Sequence, residues 1–247
     1  MSPPRPPTYD QVTGSPSSEL HAASGQQTLV LDGRTILSAQ EPFRVLYELN
    51  SHPCDAITSA CDLHKVRYQL SSADGEGHVR NRLHHIYTFK ETSAFSVGDL
   101  RKHVLIEGKA SQRRSYKETT LTSGTTGWTS CAADGHFAAR IPIAGRFKSA
   151  SQIVWKSLPR GSTVARETRP TRREDGSLAA LAQLSVEAPL KEKDLDLLVA
   201  CWTARLWRES KARLDKQLPP SNSKSFTSSA RSNDYAVPLG GGFAAFA

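Results

Sequence analysis

Leu195-Asp-Leu-Leu-Val-Ala-Cys-Trp-Thr-Ala-Arg-Leu-Trp207 is the stretch on which the reading of this chain turns. Ten of its thirteen residues are apolar. Asp196 and Arg205 stand nine positions apart, and at about 100° per residue that places them on opposite sides of a helix. A surface helix keeps one wet face; this segment has none. Thirteen residues rise roughly 20 Å, short of a hydrocarbon core of about 30 Å. A helix that is apolar all round and too short for a bilayer is buried by protein. Its polar flanks extend it from about residue 193 to about 216. Asp194 and Asp196 lie at the positive end, and Arg205, Arg208, Lys211 and Arg213 at the negative end, as the macrodipole favours. Trp202 and Trp207 are read as core fillers with no ligand role.

Upstream the period is two. Val66, Tyr68 and Leu70 alternate with Lys65, Arg67 and Gln69; Val45, Tyr47 and Leu49 alternate with Arg44 and Glu48. Further strand-like runs occupy 28–31, 34–38, 84–90, 103–108, 116–122, 128–132, 136–143, 152–158, 163–168 and 178–186. Asp32-Gly33 is the strongest hairpin signal, and Asp134-Gly135 and Asp175-Gly176 read as further turns. About a dozen turn-bounded strands imply a sandwich or barrel. With the late apolar helix, the expectation is a mainly β fold: a closed antiparallel barrel of about twelve strands around a central C-terminal helix. The barrel is assigned to residues 27–217. Residues 1–26 and 218–247, rich in Pro, Ser and Gly and poor in large apolar groups, are read as disordered tails.

The net charge is +8. The N-terminal tail carries Arg5 against Asp10 and Glu19, and the C-terminal tail carries Lys224 and Arg231 against Asp234, so the positive charge belongs to the barrel. That favours anionic partners. Cys54, Cys61, Cys131 and Cys201 form no CxxC pair and no disulfide framework. The first residues hold no apolar leader, and no run of 18 apolar residues exists. The expected location is therefore cytoplasmic, without a transmembrane segment and with peripheral membrane contact.

Leu29-Val-Leu-Asp-Gly-Arg-Thr-Ile36, Pro42-Phe-Arg-Val-Leu-Tyr-Glu-Leu49 and His85-Ile-Tyr-Thr-Phe-Lys-Glu91 resemble the opening hairpin and following strands of small LURP-one-like and fungal tubby-like proteins. Asp194-Leu-Asp-Leu-Leu-Val-Ala-Cys-Trp202 resembles their central helix. The chain thus resembles the tubby C-terminal-like superfamily over roughly 27–215. That resemblance implies the helix-filled barrel and, from tubby domains, phosphoinositide binding through basic residues. The tubby basic motif is not recognisable here, so the resemblance assigns no lipid-binding residue. The cysteine-rich and acidic segments of the related scramblases are missing too, which disfavours lipid scrambling.

Two basic groups remain to carry an anion site. Residues 101–117 hold Arg101, Lys102, Lys109, Arg113, Arg114 and Lys117 against Glu107; residues 140–173 hold nine Arg and Lys residues against Glu167. Charge density and outward alternation select Lys65, Arg67, Arg101, Lys102, Arg113 and Arg114 as a basic barrel face for an anionic phospholipid surface, with phosphates held by Arg and Lys donors. The bland alternative is a solvated charged exterior. Pro6-Pro7-Thr8-Tyr9 matches the PPxY ligand of WW domains, which seats a polyproline strand and a tyrosine in aromatic grooves. Through Pro6, Pro7 and Tyr9 the chain would act as an adaptor for a WW-domain protein such as a ubiquitin ligase.

Other chemistries find little support. Thr122-Ser-Gly-Thr-Thr-Gly127 imitates the phosphate loop of adenylating enzymes but lacks the closing lysine, and reads as an inter-strand loop. His84 and His85 are neighbours and face opposite sides of a strand. No HExxH, GxSxG or paired-cysteine set occurs. The expectation is a non-enzymatic module without cofactor or metal. Nucleic acid is disfavoured because no finger, RNP or helix-turn-helix signature appears. A catalytic set assembled from distant positions is the reading that sequence leaves open.

Overall fold

At Asp32-Gly33 the chain doubles back, Gly33 taking a φ of 58° that suits a glycine in a tight hairpin turn. Gly135 does the same at the Asp134-Gly135 turn, with φ 70°. The computed structural model describes residues 27–40, 43–53, 58–71, 78–92, 102–142, 152–172 and 178–217. Among these described residues, fourteen strands precede one helix. They are β1 (Gln27–Asp32), β2 (Thr35–Ser38), β3 (Val45–Leu49), β4 (Ala60–Ser71), β5 (His78–Thr92), β6 (His103–Gly108) and β7 (Glu118–Gly124), then β8 (Gly127–Ala133), β9 (Phe137–Arg140), β10 (Ile153–Ser157), β11 (Thr163–Thr168), β12 (Thr171–Arg172), β13 (Leu178–Ala180) and β14 (Ala182–Val186). The helix is α1 (Glu192–Gln217).

Twelve strands close into one antiparallel barrel in the order β1-β14-β11-β10-β9-β8-β7-β6-β5-β4-β3-β2. Closure comes from β1, which pairs with β2 on one side and β14 on the other. A closed ring leaves no sheet edge open to a stray strand. The run 178–186, read from sequence as one strand, is two: β13 pairs with β12 in a small separate ladder, and β14 joins the barrel. Thr122–Gly127 is the β7–β8 hairpin, as an inter-strand loop should be.

Alternate residues of the strands fill the interior: Leu29 and Leu31, Tyr47 and Leu49, Cys61 and Leu63, Val104 and Ile106, Leu184 and Val186. An eight-stranded barrel is filled by its own side chains, whereas twelve strands enclose space for an object about 10 Å across, the width of a helix. Every residue of α1 from 196 to 207 is buried, so more than three turns are covered on all sides. These residues share one apolar core with the strands, Trp202 and Trp207 included. Bonds from α1 reach β3 and β4 at one point of the ring and β8 and β11 far round it. Over residues 208–212 the helix is half-buried, and Arg208 and Lys211 both bond Glu91 of β5. Among the described residues no helix is long and apolar enough to cross a membrane. Cys61, Cys131 and Cys201 are free and buried.

Candidate functional site

The only two charged residues in the buried part of α1 each find an opposite charge on the wall. Arg205 forks onto Glu167 of β11: its Nε donates to Oε2 at 3.0 Å and its Nη2 bonds Oε1. Both side chains are 0 % exposed. The indole N–H of Trp155 also donates to Glu167 at 3.1 Å, and Arg205 Nη1 donates to Glu209 at 2.7 Å. This pair is sealed.

Asp196, nine residues earlier, accepts from Tyr47 Oη at 2.6 Å and from Lys65 Nζ at 2.8 Å. Lys65 also bonds Glu192 at 2.7 Å, and Arg67 bonds the same carboxylate at 3.0 Å. Burial raises the Asp196 pKa above the usual carboxylate range, and the Lys65 ammonium pulls it partly back. This second pair opens onto a cavity of about 290 Å³ beside the first turn of α1. Its wall is made of Lys65, Arg67, His84, His85, Ile86, Lys109, Ala110, Ser111, Arg114 and Asp196.

Two strands, one loop and the helix build that wall. On β4, Cys61 and Leu63 face the core, and the same phase carries on to Lys65 and Arg67. Opposite them, β5 skips Ile86 in a bulge, so Ile86 and Tyr87 are both buried while His84 stays level with Lys65. The β6–β7 loop brings Lys109, Ser111 and Arg114. It can turn there because Gly108 has no side chain: a Cβ would stand 1.9 Å from the Tyr116 carbonyl oxygen. The loop is pinned to the helix start by Tyr116 Oη, which donates to Asp194 at 2.6 Å, and by Lys193, which donates to the Gln112 carbonyl at 2.8 Å.

The pocket is electropositive. Four cations line it against one carboxylate, Asp196. The His84 pKa is lowered by burial first and then by Arg67, Arg82 and Arg114. Lys109 is occupied by Glu107 at 2.7 Å; Arg114 is exposed and has no ion-pair partner among the described residues. His85 turns its Nε2 away to Thr88 Oγ1 at 3.0 Å and stacks on His64.

The sequence-derived basic face is redrawn by this geometry. Lys65, Arg67 and Arg114 do come together, but in a pocket and not on an outer wall. Lys65 and Arg67 follow the inward phase of β4, and Lys65 keeps only 12 % of its side chain exposed. The apolar alternation of Val66 and Tyr68 misled because this part of β4 runs beyond the barrel: Tyr68 is 40 % exposed. Lys102 and Arg113 are exposed elsewhere, Lys102 taking a backbone bond to Ser123 and Arg113 sitting in the 112–114 turn. Arg101, and Pro6, Pro7 and Tyr9, lie outside the described residues, as do both tails. Sequence reasoning missed His84, Lys109 and Ser111, and it missed the carboxylates. One signal was present: a lone Asp196 in an apolar helix demands a cation or donor nearby. No group of three or more His, Cys, Asp or Glu suited to a metal occurs among the described residues.

Comparison of the chain with family models, curated proteins and solved structures finds no match in any of the three.

Proposed function

We propose that the protein is a non-enzymatic module that binds an anionic phospholipid headgroup, of phosphoinositide type, in the basic pocket beside the N-terminus of α1. One observation carries the reading: Lys65, Arg67, His84, Lys109 and Arg114 converge on one cavity next to a helix start. Helix N-termini carry partial positive charge and favour phosphate. Arg67 and Arg114 supply planar donor forks that match phosphate oxygens. A cavity of about 290 Å³ suits a polar headgroup and excludes an acyl chain. The ligand phosphate would compete with Glu192 for Arg67, since that carboxylate is half-exposed. The helix-filled barrel is the architecture that kinship with the tubby C-terminal-like superfamily implies, and it supports that kinship. A peripheral role at a cytoplasmic membrane face follows from the same chemistry.

Vesicle flotation at physiological salt tests the reading. Adding a phosphoinositide to phosphatidylcholine vesicles is expected to raise binding. Arg67→Gln with Arg114→Gln is expected to lower it about thirty-fold, at about 1 kcal/mol per basic residue. No gain on adding phosphoinositide, or an unchanged double variant, removes the proposal.

A further inference from the structure

The two longest strands do not stop at the barrel. The ladder between β3 and β4 runs only from Leu63 to Lys65, and that between β5 and β6 only from Tyr87 to Thr92. Between Val66 and Ser71 on β4 and His78 and Leu83 on β5, the strands pair only with each other among the described residues. Six residue pairs therefore stand out from the wall as a two-stranded ribbon, roughly 20 Å long at about 3.3 Å per residue. An isolated two-stranded ribbon is marginally stable in water, so it gains from something that covers it.

The two faces of this ribbon are chemically opposite. Directly paired residues share a face. Arg67 pairs with Arg82, Gln69 with Arg80 and Lys65 with His84, so one face is cationic and runs into the pocket. Val66 pairs with Leu83 and Tyr68 with Asn81, with Val79 two positions on; Val66 is buried, and Tyr68 Oη donates to the Val45 carbonyl of β3 at 3.0 Å, so the open part of this face is Leu83 and Val79. On that second face Val79 is 61 % exposed, Leu83 49 % and Tyr68 40 %, three of the five large apolar side chains most open to solvent among the described residues. No acidic residue occurs in 64–71 or 78–85. Apolar groups left wet beside a purely basic face are what an anionic bilayer interface complements: acyl boundary for one, phosphates for the other. Arginine side chains are long enough to reach phosphates while the backbone lies in the interface.

We infer that the β4–β5 ribbon is a membrane-contacting arm, whose Val79 and Leu83 enter the interface of an anionic bilayer while Arg80 and Arg82 hold its phosphates. The inference rests on the pocket reading and narrows it: the anion is presented by a bilayer, not free in solution.

The experiment pairs two ligands with two variants of the full chain. Val79→Ser with Leu83→Ser alters only exposed side chains, and an unchanged unfolding midpoint verifies the fold. The expected result is a loss of about tenfold or more in partition to phosphatidylcholine vesicles containing phosphatidylinositol bisphosphate, with soluble inositol trisphosphate still bound as by wild type. Leu83→Trp is expected to raise partition several-fold, because tryptophan favours the interface. Equal partition of wild type and the serine variant overturns the arm. Binding of inositol trisphosphate without any vesicle binding overturns the arm and the phospholipid reading together, and leaves the pocket as a site for a free anion. Failure to bind either ligand removes both. Wild-type self-association, or binding of duplex DNA or RNA, that the serine variant loses while vesicles are ignored names another occupant and overturns the proposal.

Discussion

The two ends of the buried section of α1 solve the same problem in opposite ways. At Arg205 the charge is neutralised inside a closed shell: Glu167, the Trp155 indole, the Trp128 carbonyl and Glu209 supply partners, and the exposure of both main partners is zero. At Asp196 the neutralising cation is Lys65, which also touches a half-exposed Glu192 and a cavity. Dry pairs of the first kind hold one arrangement, because removing either partner strands a charge in a low dielectric. Pairs of the second kind can be re-partnered, because water and ligand reach them. Function is expected at the second end for that reason, and stability at the first.

The sharpest way to break the comparison is Glu167→Ala, which leaves Arg205 buried with a diminished set of partners. It is expected to lower unfolding free energy by about 3–5 kcal/mol in urea titration. Restoring apolar packing with Glu167→Leu plus Arg205→Met should return most of that loss; if it does not, the pair itself is the stabilising element. At the open end, Lys65→Met strands Asp196 but leaves it a route to neutrality by protonation. The expected loss at neutral pH is smaller, about 2–3 kcal/mol, and it shrinks as pH falls. The sign follows from the raised pKa of Asp196. The folded state holds that proton more tightly than the unfolded chain, so this contribution is full below the unfolded value and is lost as pH rises through the folded one. Without Lys65 the folded value climbs and the window of recovered stability widens upward. A loss that does not depend on pH would show that Asp196 is not the group left stranded.

Smaller effects concern the ligand. Glu192→Gln removes the carboxylate charge that Arg67 and Lys65 share, while Lys65 keeps its bond to Asp196. Phosphoinositide affinity is expected to rise a few-fold by calorimetry, while stability drops by about 0.3–1 kcal/mol for a lost acid in the first helical turn. A fall in affinity would mean that Glu192 orients the cations and does not compete for them. The smallest effect is a titration. His84 has its pKa lowered by burial and then by three arginines. Filling the pocket with an anion should raise that pKa, so binding takes up a proton and strengthens as pH falls through the His84 range. Imidazole resonances followed by NMR with and without inositol trisphosphate would record it, and an unmoved His84 would place the anion elsewhere.

Much of the architecture was legible because it rests on local periodicity. The thirteen residues ending at Trp207 had no wet face, and the structure buries every one from 196 onward. Period-two runs and Asp-Gly turns marked most strands; their number left a sandwich or a barrel open, the apolar helix pointed to a barrel, and the ring is closed. The pocket was legible only as a list of cations, three of which meet: Lys65, Arg67 and Arg114. Their direction was misjudged on β4, where the apolar phase of Val66 and Tyr68 looked like a core stripe. That phase instead leaves the core along the ribbon: Val66 is still buried, and Tyr68, beyond the barrel, is 40 % exposed. Alternation tells which residues share a face, but not which face is wet once a strand outruns its neighbours.

The chain alone, then, determined its elements and the need for a partner at Asp196 and at Arg205, because helix period, turn chemistry and the desolvation of a lone charge act over a few residues. Only the tertiary structure decided that Lys65 and Glu167 are those partners, 131 and 38 positions away, and that a bulge at Ile86 sets His84 beside Arg67. Such pairings depend on how twelve strands register around a ring, and register is a property of the closed barrel as a whole.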